Sequence, residues 1–220
     1  MNKILFFTSL FICSALHGQI SDMRSQKILD DMAIRIKTYA GVQLSFSATV
    51  TQLQDKSEST HAGKIWLKDD KYKMELSDQT LYFNGVKLYQ YLPEVKEVNV
   101  TQSDMSEDDD DLQLFNPKAL FRLSSKNFRS NFVREGMENH RKIFEIDLYP
   151  VQVKTTRYSR IRLCIEQETL QMAHLKAFMK DGTQYAIDFA PYVMERDLPD
   201  SFFEFPASAH PDVEINDLTF

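Results

Sequence analysis

Apolar residues recur every three or four positions through residues 21–40, and then at every second position through most of residues 44–100. In the first stretch Met23, Ile28, Leu29, Met32, Ala33, Ile36, Tyr39 and Ala40 fall largely on one stripe. Asp30, Asp31, Arg35 and Lys37 fall largely outside it. That spacing predicts an amphipathic helix, with Gly41 placed to stop it. The second stretch divides into LSFSATVTQLQ, GKIWLK, YKMELSDQ, TLYFNG, VKLYQYLPE and VKEVNV. A period of two predicts strands with one apolar and one wet face. Polar turns at 54–62, Asp69-Asp70, Asp78-Gln79, Asn84-Gly85 and Pro93-Glu94 make them an antiparallel meander.

The pattern breaks at residues 102–111, QSDMSEDDDD, an acidic and apolar-poor run that reads as a loop. In LQLFNPKALFRLSS, Asn116 can cap a short helix that starts at Pro117. Ala119, Leu120, Phe121 and Leu123 give that helix an apolar surface, as a lid would have. Strands then return at 128–135, 142–149, 157–166, 172–179, 184–192 and, briefly, near 202–205, with a tight hairpin at Asp181-Gly182. The expected fold class is therefore mainly β (α+β). It is a curved sheet of about 10 to 11 strands covered by short helices. No repeat, linker or compositional break divides residues 19–220, so they are expected to form a single domain.

Residues 1–18 carry Lys3 followed by an apolar run from Ile4 to Leu16, then Ala15 and Gly18 as small residues for cleavage. This is the pattern of a signal peptide, too short for a spanning helix. Ile12 before Cys13 disfavours acylation at that cysteine. Removing the segment makes the chain one unit more negative than its formal −6. Such an acidic exported protein is expected to have no general attraction to nucleic acid or to anionic head groups. Only Cys164 then remains, so no internal disulfide is expected and the thiol should be buried in its strand.

Nucleophile elbows, phosphate-binding glycine loops and zincin helices are absent from the sequence. His61, His140, His174 and His210 lack ligand spacing. The run 107–111 lacks the alternation and central glycine of a calcium loop. Scattered carboxylates such as Glu75, Asp78 and Glu145 offer only weak support for catalysis. No enzyme activity and no cofactor or metal are expected.

Sixteen Phe, nine Tyr and nine Met supply long or flat apolar side chains. A curved sheet with little helix has a concave face that helices alone cannot fill, which points to a cavity. Its expected lining is Leu44, Phe46, Ala48 and Val50 from the first strand, and Ile65 and Leu67 from the second. Tyr72, Met74, Leu76, Leu81 and Phe83 follow from the next strands, with Leu120 and Leu123 from the lid helix.

The chain also resembles the LolA family of periplasmic carriers for outer-membrane lipoproteins. The resemblance lies in the signal peptide, the helix ending at Tyr39-Ala40-Gly41, SFSATVTQ (45–52) and GKIWLK (63–68). LYFNGVKLYQYLPEVKEVNV (81–100), the NPKALF helix and DSFFEFP (200–206) follow in the same order. It implies an incomplete antiparallel β-barrel closed by helices over a hydrophobic cavity, working as a monomer in the periplasm. It also implies that the carrier takes a lipoprotein from an inner-membrane ABC transporter, shields the acyl chains and delivers them toward the outer membrane. There a receptor or the membrane itself receives them. A binding or sensor module on the same scaffold, with no transport, is the alternative. Family members carry a basic pair and a proline after the tryptophan strand, and the arginine ties the lid to the sheet. Here the residues are Lys68-Asp69-Asp70, and a carboxylate at Asp69 cannot donate a guanidinium's forked hydrogen bonds. Lys68, Lys71 or Arg122 is expected to take over the latch.

Overall fold

A computed structural model describes residues 13–102 and 127–219, with the side chains of the first helix from Met23 onward. The acidic run, the Pro117 segment, and with it Leu120, Arg122 and Leu123, lie outside the described residues. Helix α1 (Cys13–Lys37) carries the predicted amphipathic stripe. It stops at Lys37, short of Gly41. The Thr38 hydroxyl donates to the Arg35 carbonyl at 2.7 Å, and the Thr38 and Tyr39 amides donate to the Arg35 and Ile36 carbonyls at 3.1 Å. This tightens the last turn. Gly41 serves a different purpose: a Cβ there would lie 3.0 Å from the Glu195 carbonyl and from Leu198 Cδ1.

The first meander comprises β1 (Val42–Gln52), β2 (Ser57–Lys68), β3 (Lys71–Glu75), β4 (Thr80–Phe83), β5 (Lys87–Leu92) and β6 (Glu97–Gln102). β2 begins at Ser57, well before the expected Gly63, and pairs with β1 from Gln52↔Ser57 onward. Its first half has both faces in water, so no apolar alternation marks it. The second meander comprises β7 (Phe128–Glu138), β8 (Arg141–Pro150), β9 (Tyr158–Glu166), β10 (Met172–Met179) and β11 (Thr183–Phe189). β11 returns to pair with β1, from Phe46↔Phe189 to Gln52↔Thr183, and joins the two halves into one sheet.

Among the described residues the sheet has thirteen strands, more than the expected number. The extra ones are β12 (Val193–Met194), paired to the start of β1, and β13 (Glu214–Asp217), which runs parallel to β6. The polar sequence EIND of β13 gives no strand signal. The strand expected near 202–205 is instead a 3-10 turn, Asp200–Phe203, flanked by Pro199 and Pro206. Its phenylalanines do not alternate between two faces. Phe202 meets Trp66 edge-on at 5.6 Å, Phe203 is fully buried, and Phe205 packs on Tyr82 and Tyr91. The sheet path runs from β13 at one edge to β7 at the other without closing.

Helix α1 packs against β7 on the inner face. Ile28, Leu29 and Met32 join Ile146, Leu148, Leu163 and Ile165 in the main core. The buried Ser25 and Ser130 hydroxyls meet at 2.7 Å, Arg24 stacks 3.9 Å over the Phe132 ring, and Arg24 also pairs with Glu135. On the outer face of β8 and β9, Arg162 bridges the buried carboxylates of Asp147 (2.7 Å) and Glu145 (2.8 Å). Arg134 also meets Glu145 at 2.7 Å, and Arg160 meets Asp147 at 3.2 Å. Burial pushes the Asp147 carboxyl up, but the Arg162 hydrogen bond and the two arginine charges outweigh it, so the group sits below its ordinary range. Cys164 is buried as expected, and that burial pushes its thiol up to about 12.

Candidate functional site: an apolar cleft on the inner face of the first meander

The register of the first meander stacks side chains into cross-strand rows. Met74, Leu81, Gln90 and Asn99 form one row, and Tyr72, Phe83, Leu88 and Thr101 the next. Apolar side chains near β1 give way to amides toward β6, so the face changes character across the sheet. A cleft of about 420 Å³ opens over these rows, within the range of about 300–1,000 Å³ usual for ligand pockets. Its apolar wall is Phe46, Ala48, Val50, Tyr72, Met74, Leu76, Leu81 and Leu88. Its polar side is His61, Ser77, Asp78, Gln79, Gln90, Asn99 and Thr101, with Gln90 donating to Gln79 at 2.7 Å.

Gly63 shapes this wall. It stands opposite Phe46, and a Cβ on it would lie 2.5 Å from Phe46 Cζ and 2.8 Å from the Glu75 carbonyl. The missing side chain lets the phenyl ring lie flat across β2. Tyr72 stacks on Phe83 with ring centres 5.3 Å apart. Burial pushes its hydroxyl up to about 12, so it stays neutral beside the cleft.

Of the residues expected to line a cavity, Phe46, Ala48, Val50, Tyr72, Met74, Leu76 and Leu81 face the cleft. Leu44, Ile65 and Phe83 are packed into the buried core, with Leu67 against it. Leu88 belongs to the wall but was not among the expected residues, although its position in KLYQYL follows the same alternation. The polar members left no such signal, because only strand register sets Gln90 beside Leu81 and Asn99 beside Gln90.

Lys68 and Lys71 form a clasp on the C-terminal segment. Lys68 Nζ donates to the Leu198 carbonyl at 2.7 Å and to Asp200 Oδ1 at 3.0 Å, while Lys71 Nζ lies 2.6 Å from Asp200 Oδ2. Hydrogen bonds from Lys71 and Lys68 hold the exposed Asp200 carboxyl below its ordinary value. Between them and the 3-10 turn, Lys73 lies 4.8 Å over the Phe202 ring and 5.4 Å over Trp66. Asp69 occupies the β2–β3 turn at φ 51°, a left-handed conformation that aspartate tolerates.

The residues considered for other chemistry are dispersed. Glu75 pairs with Lys73, Glu145 belongs to the outer-face ion network, and Asp78 stands at the cleft. His174 pairs with Asp188 at 2.8 Å, His210 stacks on Phe205, and His140 lies in a turn at φ 63°. Among the described residues no group of three or more His, Cys, Asp or Glu is placed to hold a metal ion. Nor is any helix among them long and apolar enough to cross a membrane.

Several solved structures share this architecture. An uncharacterized conserved protein from Thermus thermophilus superposes with a TM-score of 0.57 at 9% identity, covering 88% of this chain and 99% of that one. A domain named for outer-membrane lipoprotein sorting, from Vibrio parahaemolyticus, gives a TM-score of 0.50 at 10% identity, covering 83% and 97%. At such identities the likeness is one of fold. No curated protein matches the chain. The family model described as outer membrane lipoprotein carrier protein LolA matches residues 37–206, from the end of α1 to the proline after the 3-10 turn. The chain belongs to the LolA family.

Proposed function

We propose that this protein is a periplasmic carrier that holds the acyl chains of lipoproteins in the inner-face cleft and moves them from the inner membrane toward the outer membrane. The observation that carries this reading is the cleft itself, an apolar wall from β1 to β5 with a polar side, left on an unclosed sheet. Burying each methylene of an acyl chain contributes about 0.8 kcal/mol, so on the order of ten buried methylenes contribute about 8 kcal/mol before ordering costs. Apolar contacts of this kind fix no head group, which suits a carrier of many lipoproteins. Residues 1–18 are removed on export, and the remaining single domain works as a monomer. It is loaded by an inner-membrane ABC transporter and unloads to an outer-membrane receptor or to the membrane.

The test is uptake of a fluorescent acylated peptide by the exported form. Wild type should bind it. Leu81→Asp, which puts a charge on the cleft wall, should abolish binding, and His174→Ala on the outer face should not. Depletion in the native cell should strand lipoproteins in the inner membrane. A wild-type protein that takes up no acylated peptide sinks the reading. Uptake with intact lipoprotein sorting assigns the cleft to a binding module that does not transport.

A further inference from the structure

Three exposed apolar side chains stand at the end of the sheet where the β1 wall of the cleft runs out. They are Leu53, Val151 and Val153, each about half exposed. Leu53 follows β1 into the turn at 53–56, just beyond the cleft residue Val50. That turn leans on the β10–β11 turn: Gln54 Nε2 donates to the Asp181 carbonyl at 3.3 Å, and Leu53 Cβ lies 4.0 Å from where a Cβ on Gly182 would be. Lys180 in turn donates its ammonium to the carbonyls of Val153 and Thr156, and its amide to the Arg157 carbonyl at 2.8 Å. Residues 53–56, 151–157 and 180–182 are thus tied into one rim.

The rim's charge differs in sign from that of the chain. It carries Lys56, Lys154, Arg157 and Lys180 against Asp55 and Asp181, on a protein of formal charge −6. Both carboxylates are turned into their own loops, Asp55 accepting the Ser57 amide at 2.9 Å and Asp181 the Thr183 amide at 2.8 Å. Lys56 and Lys154 stand on the same loops as Leu53 and Val153.

We propose that this rim docks on an anionic lipid bilayer. Isolated aliphatic tips set among lysines are what an interfacial site needs, with the tips entering the acyl boundary and the ammonium groups staying among the head groups. A protein-binding surface would call for an aromatic core, and these three loops contain no aromatic residue. Docked in this way, the protein places the β1 end of the cleft beside the membrane, so a chain leaving it passes into lipid with little exposure to water. That consequence rests on the carrier reading, whereas the docking does not.

Sedimentation of the exported form with vesicles of phosphatidylcholine, with and without phosphatidylglycerol, tests this. Wild type should bind the anionic vesicles, and salt should weaken the binding. Lys56→Glu with Lys154→Glu should weaken it by at least about fivefold per site. Leu53→Asp with Val153→Asp should abolish it, while melting temperatures stay unchanged because the altered side chains are exposed. Leu81→Asp should still bind vesicles. Failure of wild type to bind anionic vesicles, or undiminished binding by both rim variants, overturns the proposal. So does a rim pair that loses only self-association on a sizing column, which would assign the rim to a second copy of the chain. Vesicle binding without uptake of acylated peptide sinks the carrier reading and leaves the docking intact. Uptake without vesicle binding does the reverse.

Discussion

Gly63→Ala gives a sharp test of how the cleft wall is built. The new methyl group would stand 2.5 Å and 2.7 Å from Phe46 Cζ and Cε1, and 2.8 Å from the Glu75 carbonyl oxygen. The ring can yield by swinging into the cleft. The carbonyl is less free, because Glu75 is paired with Lys64 in the β2–β3 ladder. Overpacking of this kind costs about 1–3 kcal/mol, and the backbone contact places this case in the upper part of that range, about 2–3 kcal/mol. For a domain of this size that lowers the melting temperature by about 4–12 °C. Thermal unfolding followed by circular dichroism reads the loss, and uptake of an acylated peptide reads the displaced ring as weaker binding. A smaller residue at position 46 separates the two contacts. Gly63→Ala should cost less in a Phe46→Leu background, and whatever cost remains belongs to the Glu75 carbonyl. If Gly63→Ala leaves both stability and uptake unchanged, or if the two substitutions are strictly additive, the ring-over-glycine account is wrong.

Leu44 and Leu81 should respond differently to a charge, although the same alternation marks both. Leu44→Asp puts an unpaired carboxylate in the packed core and should abolish the cooperative melt, whereas Leu81→Asp should keep a folded spectrum and lose acyl uptake. Arg162→Ala strips a shared partner from the buried carboxylates Glu145 and Asp147. It should cost about 3 kcal/mol by denaturant unfolding, the lower part of the range for breaking a buried pair, because Arg134 and Arg160 remain. Asp147 lies below its ordinary 3.8 in the folded protein, so its contribution is present above that pH and lost as pH falls through the lowered value. The variant's deficit should therefore shrink in acid. The C-terminal clasp follows the same sign: with Asp200 also below 3.8, the strap should hold at neutral pH and release only in stronger acid. Fluorescence of Trp66, against Phe202, should report that release, and Asp200→Asn should show a weakened strap already at neutral pH.

Where side chains alternate against a single packed face, the strands were legible. β1 and β3 lie close to their expected positions because each sets apolar residues inward at every second place. The expected helix was also found, since its stripe packs on one surface. The strand segments that were missed share one cause. The first half of β2 and all of β13 are held by backbone pairing with a neighbour, and their side chains stay largely wet. Pairing of that kind leaves no periodicity to read. DSFFEFP misled for the opposite reason: it is rich in phenylalanine, but the prolines bend it and each ring finds its own partner.

Order of residues was enough for a helix with one apolar stripe, two runs of strands, and a family whose model matches from the end of the helix to Pro206. Which apolar residues fill the core and which stand in a cleft came from packing alone. Leu44 and Phe46 share a strand and a face. Leu44 is packed at no exposure, while Phe46 lies over a glycine beside open space. Likewise, nothing in Lys68-Asp69-Asp70-Lys71 says that its two lysines close on Asp200. Alternation records only which face a residue belongs to. What stands opposite that face depends on chain distant in sequence, and only the fold brings it there.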